Sequence, residues 1–538
     1  MRKTIPLSAM MIALFLFAGC VRVSELSPKT EPTDSSCCPD CSSDTTEVKP
    51  NSGETTSEAI ETPETWTPVT LVATPVGVWF PLFDGKTLDG WKASESQTTW
   101  SVVDGTLVSD GPRSHLFYVS SDATRYDGFD NIVIKPDFKN FELKLQFKLE
   151  GQSNSGLFFH TEFSDDASPP KGYEVQINSS PKETRKTGSL FGVRGIYVDF
   201  VPDGQWADLW LKVTGNRIQV KVNDVLLADY VQPDNPPRTR TGRVLSSGTF
   251  ALQAHDPETK AAYRDIQVKL LTDDATDDGD TSYISDLDPE FAKQIDEFGS
   301  RNVPLIDYHI HLRGDMTVEK AVIAQAKTGV QSGVLENSGV GWPLSDNEKI
   351  RAFIEAAEPF PVFIGMQVND RDWFTAIDPE LIARFDYVLG DTMIMVDNAK
   401  SQKLWLDEYV IDDVDAWFEL YFNHCMTVAG EPITIMANPT YLPRGAADHY
   451  DTLWTDDRMT QLIDAAVKNN VAFEIQVGSE FPNDKFIALA KSKGAKFTIG
   501  RNNANDKDKH DFLPSFEKMR KHGLGSDNML LITPKQRP

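Results

Sequence analysis

Basic residues are in short supply in this chain: 53 Lys and Arg stand against 80 Asp and Glu, a formal net charge of -27 over 538 residues. Nucleic-acid binding needs a basic footprint to replace condensed counterions, so no nucleic-acid partner is expected. The acidic balance suits a soluble, extracytoplasmic protein. Cysteine is scarce too, with only Cys20, Cys37, Cys38, Cys41 and Cys425. The CxxC spacing in SSCCPDCSSD is shared with zinc sites, but no second pair exists to complete four ligands. Local or intermolecular disulfides in an oxidising compartment fit those three cysteines better. The apolar run Ala9–Phe17 falls short of the ~20 residues a spanning helix requires. From residue 21 to 75 apolar residues are almost missing, and such a Ser, Thr, Pro, Asp and Glu tract cannot bury enough surface to fold. It reads as a disordered tether.

What is present begins at the N-terminus. Arg2 and Lys3, the apolar run and then Phe17-Ala18-Gly19-Cys20 resemble a bacterial lipoprotein signal with its lipobox. The resemblance implies a 1–20 leader, lipid modification at Cys20 and a membrane-anchored chain facing the periplasm or the cell surface. The length beyond residue 75 suffices for two domains.

Residues 76–272 alternate apolar and polar side chains in short runs such as FELKLQFKL, GLFFHTEF, LWLKVTG, RIQVKVN and GTFALQAH, separated by Gly, Asn, Asp and Pro. Many short strands with regular turn signals predict a β-sandwich. Within it, SNSGLFFHTEFSDDASPPKGYEVQIN (153–178) gathers His160, Glu162, Glu174 and Gln176. Side chains alternate along a strand, so Tyr173, Val175 and Ile177 share one face while Glu174 and Gln176 line the other. Asn154-Ser155-Gly156 lets the backbone come close to a ligand, because glycine has no Cβ. The plain alternative is an ordinary antiparallel strand with a solvated face.

The segments LFDGKTLDGW (82–91), NSGLFF (154–159), GYEVQI (172–177), TGSLFG (187–192), GQWADLWLKVTGNRIQVKVND (204–224) and ALQAHDPETKAAYRDIQVKLL (251–271) resemble, in order and spacing, the 3-keto-disaccharide hydrolase domain family. That resemblance implies a concanavalin A-like jelly roll acting on a glycoside oxidised at C3. The ketone acidifies the C2 proton and makes the C1 oxygen a β-leaving group, so a positioned base starts cleavage; such a group is typically worth ~100- to 10,000-fold. His160 and Glu174 are the candidates for base and acid. Gln176, Arg194 and His255 would orient the sugar or polarise the ketone. A divalent cation in this cluster is compatible with the residues, though their spacing does not demand one. A separate sugar 3-oxidoreductase is expected to supply the substrate.

Residues 273–302 are an acidic linker, helical from about Pro289. From 303 to 538 the period changes, and strand-like runs alternate with amphipathic helical stretches about eight times. This predicts an α/β (TIM-like) barrel with function at the C-terminal strand ends. His309, His311, Glu336, Asn337, Asp391, Asn438, Glu474, Asn502 and Asn503 fall there. His309-Ile310-His311, with Asp307 before and Gly314 after, resembles the opening metal motif of the polymerase and histidinol phosphatase (PHP) family and of amidohydrolases. Histidines at i and i+2 share a side of a strand and can reach one metal at ~2.1 Å. The chain departs from that family with Glu336-Asn337-Ser338 and Arg501-Asn502-Asn503 where further ligands belong. Either a single zinc or manganese ion is held by His309, His311 and a carboxylate, Glu336 or Asp391, or the barrel binds none. A second functional reading also stands: a lectin-like sandwich that holds glycan for a barrel that is the only enzyme. Convergent His and carboxylate groups on the concave face favour catalysis there; aromatics and amides alone favour binding.

Overall fold

A computed structural model describes residues 76–120, 134–165, 168–238, 242–272, 288–397, 400–477, 480–502 and 512–537. The leader, Cys20, the cysteine-rich tract and Asn503 lie outside the described residues. The first thirteen strands are β1 (Trp79–Pro81), β2 (Trp91–Ser94), β3 (Trp100–Val103), β4 (Thr106–Asp110), β5 (Ser114–Tyr118), β6 (Phe141–Glu150), β7 (Asn154–Thr161), β8 (Tyr173–Asn178), β9 (Ala207–Thr214), β10 (Arg217–Val222), β11 (Val225–Val231), β12 (Thr249–Ala254) and β13 (Lys260–Leu270). They form two antiparallel sheets, β11-β10-β9-β6-β13-β4-β3 with β1 on β13, and β2-β5-β12-β7-β8. The expected sandwich is therefore present. In β6 the alternation is literal: Leu143, Leu145, Phe147 and Leu149 are buried while Lys144, Gln146 and Lys148 are only half-buried. Each such buried side chain contributes roughly 1.5–3 kcal/mol. Asn223 and Asp224, between β10 and β11, both have positive φ, as a two-residue I′ hairpin requires.

The smaller sheet is buried on both faces along β7 and β8. One face packs on the sandwich core through Leu157, Phe159, Tyr173, Val175 and Ile177. The free edge of β8 is closed by the segment after it, where Gln176 N–H donates to Ser189 O and Phe191 N–H to Glu174 O, both 2.9 Å.

Sandwich and barrel lie within one unit, Pro68–Pro538. The stretch expected as linker becomes, from Pro289, a packed helix, α1 (Pro289–Ser300), capped by the Asp288 carboxylate. Phe291, Ile295 and Phe298, spaced i, i+4, i+7, bury one stripe, and Phe291 and Phe298 meet Phe516 of the barrel at ring distances of 5.7 and 5.3 Å. Asp296 is held on the sandwich side: it accepts from Arg194 Nη1 (2.8 Å) and Tyr230 Oη (2.8 Å) and lies 3.4 Å from Arg238 Nη1. A boundary set at residue 302 thus cuts through the junction core.

The barrel strands are β14 (Ile306–His311), β15 (Gln331–Leu335), continued by β16 (Asn337–Ser338), β17 (Phe363–Val368), β18 (Tyr387–Asp391), β21 (Ile435–Ala437), β22 (Ala472–Gln476) and β23 (Phe497–Gly500); a hairpin of β19 (Ile394–Asp397) and β20 (Lys400–Lys403) follows β18. All barrel pairings are parallel, and β15 pairs both β14 and β17, which closes a ring of seven rather than eight. The eighth apolar run, MLLIT, contributes one bridge, Phe497 to Met529, and then crosses the end where the strands begin. Leu530–Ile532 pack there against Tyr308, Phe363 and Tyr387, beside Tyr197 and Val198 from the sandwich. Tyr197 N–H donates to Gln331 Oε1 at the start of β15 (2.7 Å). The sandwich therefore plugs the lower end of the barrel.

Candidate functional site

The outward face of the smaller sheet is built row by row. Ser94 of β2 pairs with His115 of β5, which pairs with Gln253 of β12. The β12–β7 register, Leu252 opposite Leu157, carried one residue further sets Gln253 opposite Gly156, and Gly156 pairs with Gln176 of β8. The neighbouring row reads Lys92, Phe117, Ala251, Phe158 and Glu174. Strands lie ~4.8 Å apart, so the missing side chain at Gly156 leaves a gap about two strand spacings wide between the Gln253 and Gln176 side chains, and the Glu174 carboxylate leans into it.

Around this gap stand the groups that can do chemistry. Glu174 is almost wholly buried; Gln176 Nε2 donates to its Oε1 at 3.4 Å, and Arg243 Nη2 lies 3.9 Å from its Oε2. A Cβ at position 156 would stand 2.7 Å from Glu174 Oε1, so glycine there is what leaves the carboxylate its place. The carbonyl oxygens Oε1 of Gln176 and of Gln253 are buried without a hydrogen-bond partner among the described residues. Across the gap, His115 donates Nδ1–H to Glu95 Oε2 (2.8 Å) and faces Gln253 Nε2 with its own Nε2 (3.2 Å). Burial pushes the His115 pKa down, helped by Arg113 and His255 and opposed by Glu95. Glu95 sits below the usual carboxylate range: burial alone would raise it, but the hydrogen bond and charge of His115 outweigh that. His115 is thus a neutral, carboxylate-oriented imidazole. His255 follows β12 at the rim, partly exposed, 3.4 Å from Asp256. Phe117, Phe158 and Ala251 form a small apolar patch beside Glu174, bordered by Phe163.

Two expected site residues lie elsewhere. His160 does not face the gap: β7 has one extra residue between Phe158 and Thr161 relative to β12, and His160 sits there with φ +55°. The bulge turns its ring against Phe141 and Phe159. Its Nε2 donates to Lys139 O (2.9 Å) and its Nδ1 accepts from Ser246 N–H (3.2 Å), so neither nitrogen is free to act as a base. Burial pushes its pKa down to about 4. Arg194 serves the junction through Asp296, with its guanidinium 4.6 Å from the Tyr230 ring. Arg243 is the arginine near Glu174. His115, Glu95, Gln253 and Arg243 were not among the expected residues; the alternation in RSHLFY, which puts His115 and Phe117 on one face, was the available signal for the first.

At the open end of the barrel, the residues expected as metal ligands are tied to one another. His309 donates Nδ1–H to Glu474 Oε1 (2.6 Å) and Nε2–H to Gln367 Oε1 (3.1 Å), the pattern of an imidazolium. Burial works against that charge, but the Glu474 carboxylate holds the pKa above the ordinary histidine value. Gln367 Nε2 donates to Asp391 Oδ2 (3.1 Å), and Asp391 Oδ1 accepts from Asn438 Nδ2 and Met393 N–H, both 2.9 Å. Burial raises the Asp391 pKa. His311 Nδ1 stands 3.9 Å from Glu336 Oε2, which accepts from Arg313 Nε (2.8 Å). Burial takes His311 down to about 4. The lone pairs a metal would need at His309 and Asp391 are thus consumed by protein donors and acceptors. Among the described residues, sandwich included, no three His, Cys, Asp or Glu side chains are arranged to hold a metal ion. His309 and Asp391 are held by protein partners in this arrangement, whereas His311 Nδ1 and Glu336 Oε1 have no hydrogen-bond partner among the described residues. Asn502 follows β23 with φ +52°.

Comparison with known proteins points to the sandwich. Over 84 residues the chain is 31% identical to a 3-keto-disaccharide hydrolase of Bacteroides thetaiotaomicron, a match covering 15% of this chain and 27% of that protein. The chain thus spans only about a quarter of that curated relative. Similar solved structures include a candidate glycosyl hydrolase of Parabacteroides distasonis, at 19% identity and a TM-score of 0.30 over 36% of this chain and 94% of the other. Another is carbohydrate-binding module 66 of Bacillus subtilis, at 15% identity and a TM-score of 0.23 over 34% and 96%. All of the concave-face residues named above lie within residues 78–269, the span that matches the family model of the 3-keto-alpha-glucoside-1,2-lyase-like domain.

Proposed function

We propose that this protein cleaves 3-keto-glycosides on the concave face of its sandwich, by elimination followed by addition of water. The observation that carries this reading is the convergence of Glu174, the His115–Glu95 pair and two unpartnered amide oxygens on the opening at Gly156. In the first step Glu174 takes the C2 proton, the C1–O bond breaks, and Glu174 returns that proton to the departing oxygen. Arg243, 3.9 Å from Glu174, offsets charge on the developing enolate. In the second step water adds at C1 and gives a proton to the Glu174 carboxylate, which delivers it to C2; His115, fixed by Glu95, holds the Gln253 amide in place. Gln176, Gln253 and His255 orient the ring.

Purified full-length chain should release the aglycone from a 3-keto-glucoside and not from the unoxidised parent. Gly156→Ala should lower turnover by ~100-fold with the fold retained, because the added methyl displaces Glu174. Equal turnover of the unoxidised parent, or full activity of the variant, would refute the proposal. The keto substrate has to come from a separate sugar 3-oxidoreductase. We place the protein on a membrane through lipidated Cys20, on the residues of its leader; Cys20→Ala should then release it into the soluble fraction or leave the precursor uncut, and unchanged lipid labelling of that variant counts against the anchor.

A further inference from the structure

Among the described residues, the open end of the barrel leaves three buried polar atoms without hydrogen-bond partners: His311 Nδ1, Glu336 Oε1 and Asn438 Oδ1. They belong to one polar network. Asn438 donates to Asp391, Asp391 accepts from Gln367, and Asn369 Nδ2 meets Asn337 Oδ1 (3.1 Å) next to Glu336. A buried acceptor left unpaired costs roughly 1–3 kcal/mol, so three in one network mark groups that a bound donor would complete. Positive charge already occupies this end, since Arg313 Nε donates to Glu336 Oε2 (2.8 Å). A second cation would be repelled, whereas a neutral hydroxyl brings its proton without charge.

The loop that holds Trp342 closes on the strand end that carries Glu336, with Leu344 N–H donating to Asn337 O (3.0 Å). Loops leave β16 and β18, the strands on either side of β17, whose end carries Gln367 and Asn369. The first loop holds Trp342 and the hairpin after β18 leads into Trp405, which is 43% exposed. The two loops meet through Lys403, whose ammonium lies 4.9 Å from the Trp342 ring centroid and 6.0 Å from that of Trp405. Indole faces next to unpaired hydroxyl acceptors are the two halves of a sugar site, one for the C–H face of a pyranose and one for its hydroxyls.

We infer that the open end of the barrel binds a neutral monosaccharide, with hydroxyls donated to His311, Glu336 and Asn438 and the ring set against Trp342. This site is separate from the concave face and does not depend on the chemistry proposed there. Calorimetric titration of D-glucose, D-galactose and D-xylose into full-length protein carrying Glu174→Gln tests it. At least one sugar should bind saturably, and one site per chain should remain when Gln176→Ala removes a sugar contact of the sandwich. Trp342→Ala, in protein whose unfolding transition is unchanged, should weaken it at least tenfold, as should Glu336→Gln, while Gln176→Ala on the sandwich leaves it unchanged. The inference is overturned if none of the three sugars saturates, if Gln176→Ala rather than Trp342→Ala abolishes binding, or if zinc or manganese binds at one equivalent and is lost in His311→Ala. A failed 3-keto-glucoside assay would leave these titrations untouched, so the two readings fall separately.

Discussion

Replacing Glu174 by Gln is expected to lower kcat on a 3-keto-glycoside by ~100-fold or more, with KM little changed, since a positioned general base typically contributes at least that much. The amide keeps the shape of the carboxylate and its contact with Gln176, and removes only the capacity to take a proton. Two readouts separate this from a binding role. Steady-state kinetics should show the loss in kcat, and in deuterated water the variant should no longer exchange the C2 proton of the substrate. A rise in KM with kcat intact would show that Glu174 only holds sugar, and the lectin-like reading of the sandwich would then stand. His160→Ala offers the contrast, because its ring nitrogens are spent on Lys139 and Ser246 and its loss should reach stability before chemistry.

The second large effect is expected far from either site. Asp296→Ala should destabilise the protein by about 3–5 kcal/mol, the usual consequence of removing one member of a buried charge cluster and leaving the others uncompensated. Arg194 and Arg238, both more than nine-tenths buried in their side chains, share that carboxylate with the Tyr230 hydroxyl. Asp296→Asn should fall in between, since the amide still accepts from Tyr230 but no longer balances two guanidinium groups. Denaturant unfolding followed by tryptophan fluorescence and by far-UV circular dichroism measures the change. Because α1 is packed on the sandwich through Asp296 and on the barrel through Phe291 and Phe298, both signals should shift together. A loss below 1 kcal/mol, or a shift in one signal alone, would mean that the cluster does not couple the two parts.

What the sequence determined by itself was whatever depends on near neighbours along the chain. Period-2 alternation in GYEVQI put Glu174 and Gln176 on the face opposite Tyr173, Val175 and Ile177, and Asn-Asp marked the β10–β11 turn, because a strand's side chains and a hairpin's φ values are set within a few residues. The same alternation failed for His160, where one extra residue in β7 reverses the side, and a bulge shows only against the partner strand, β12. The His115–Glu95 pair, the approach of Arg243 to Glu174 and the capture of Arg194 by Asp296 join residues 20, 69 and 102 positions apart. No local spacing encodes these pairings. In the barrel, HxH correctly placed two imidazoles on one side of the first strand. What His309 bonds to was decided by Glu474 and Gln367, which reach it from other strands. The eighth apolar run carried the hydrophobicity of a strand, yet the ring closed at seven, since closure is settled by backbone hydrogen bonds between distant strands and hydrophobicity says only that a segment must be buried somewhere.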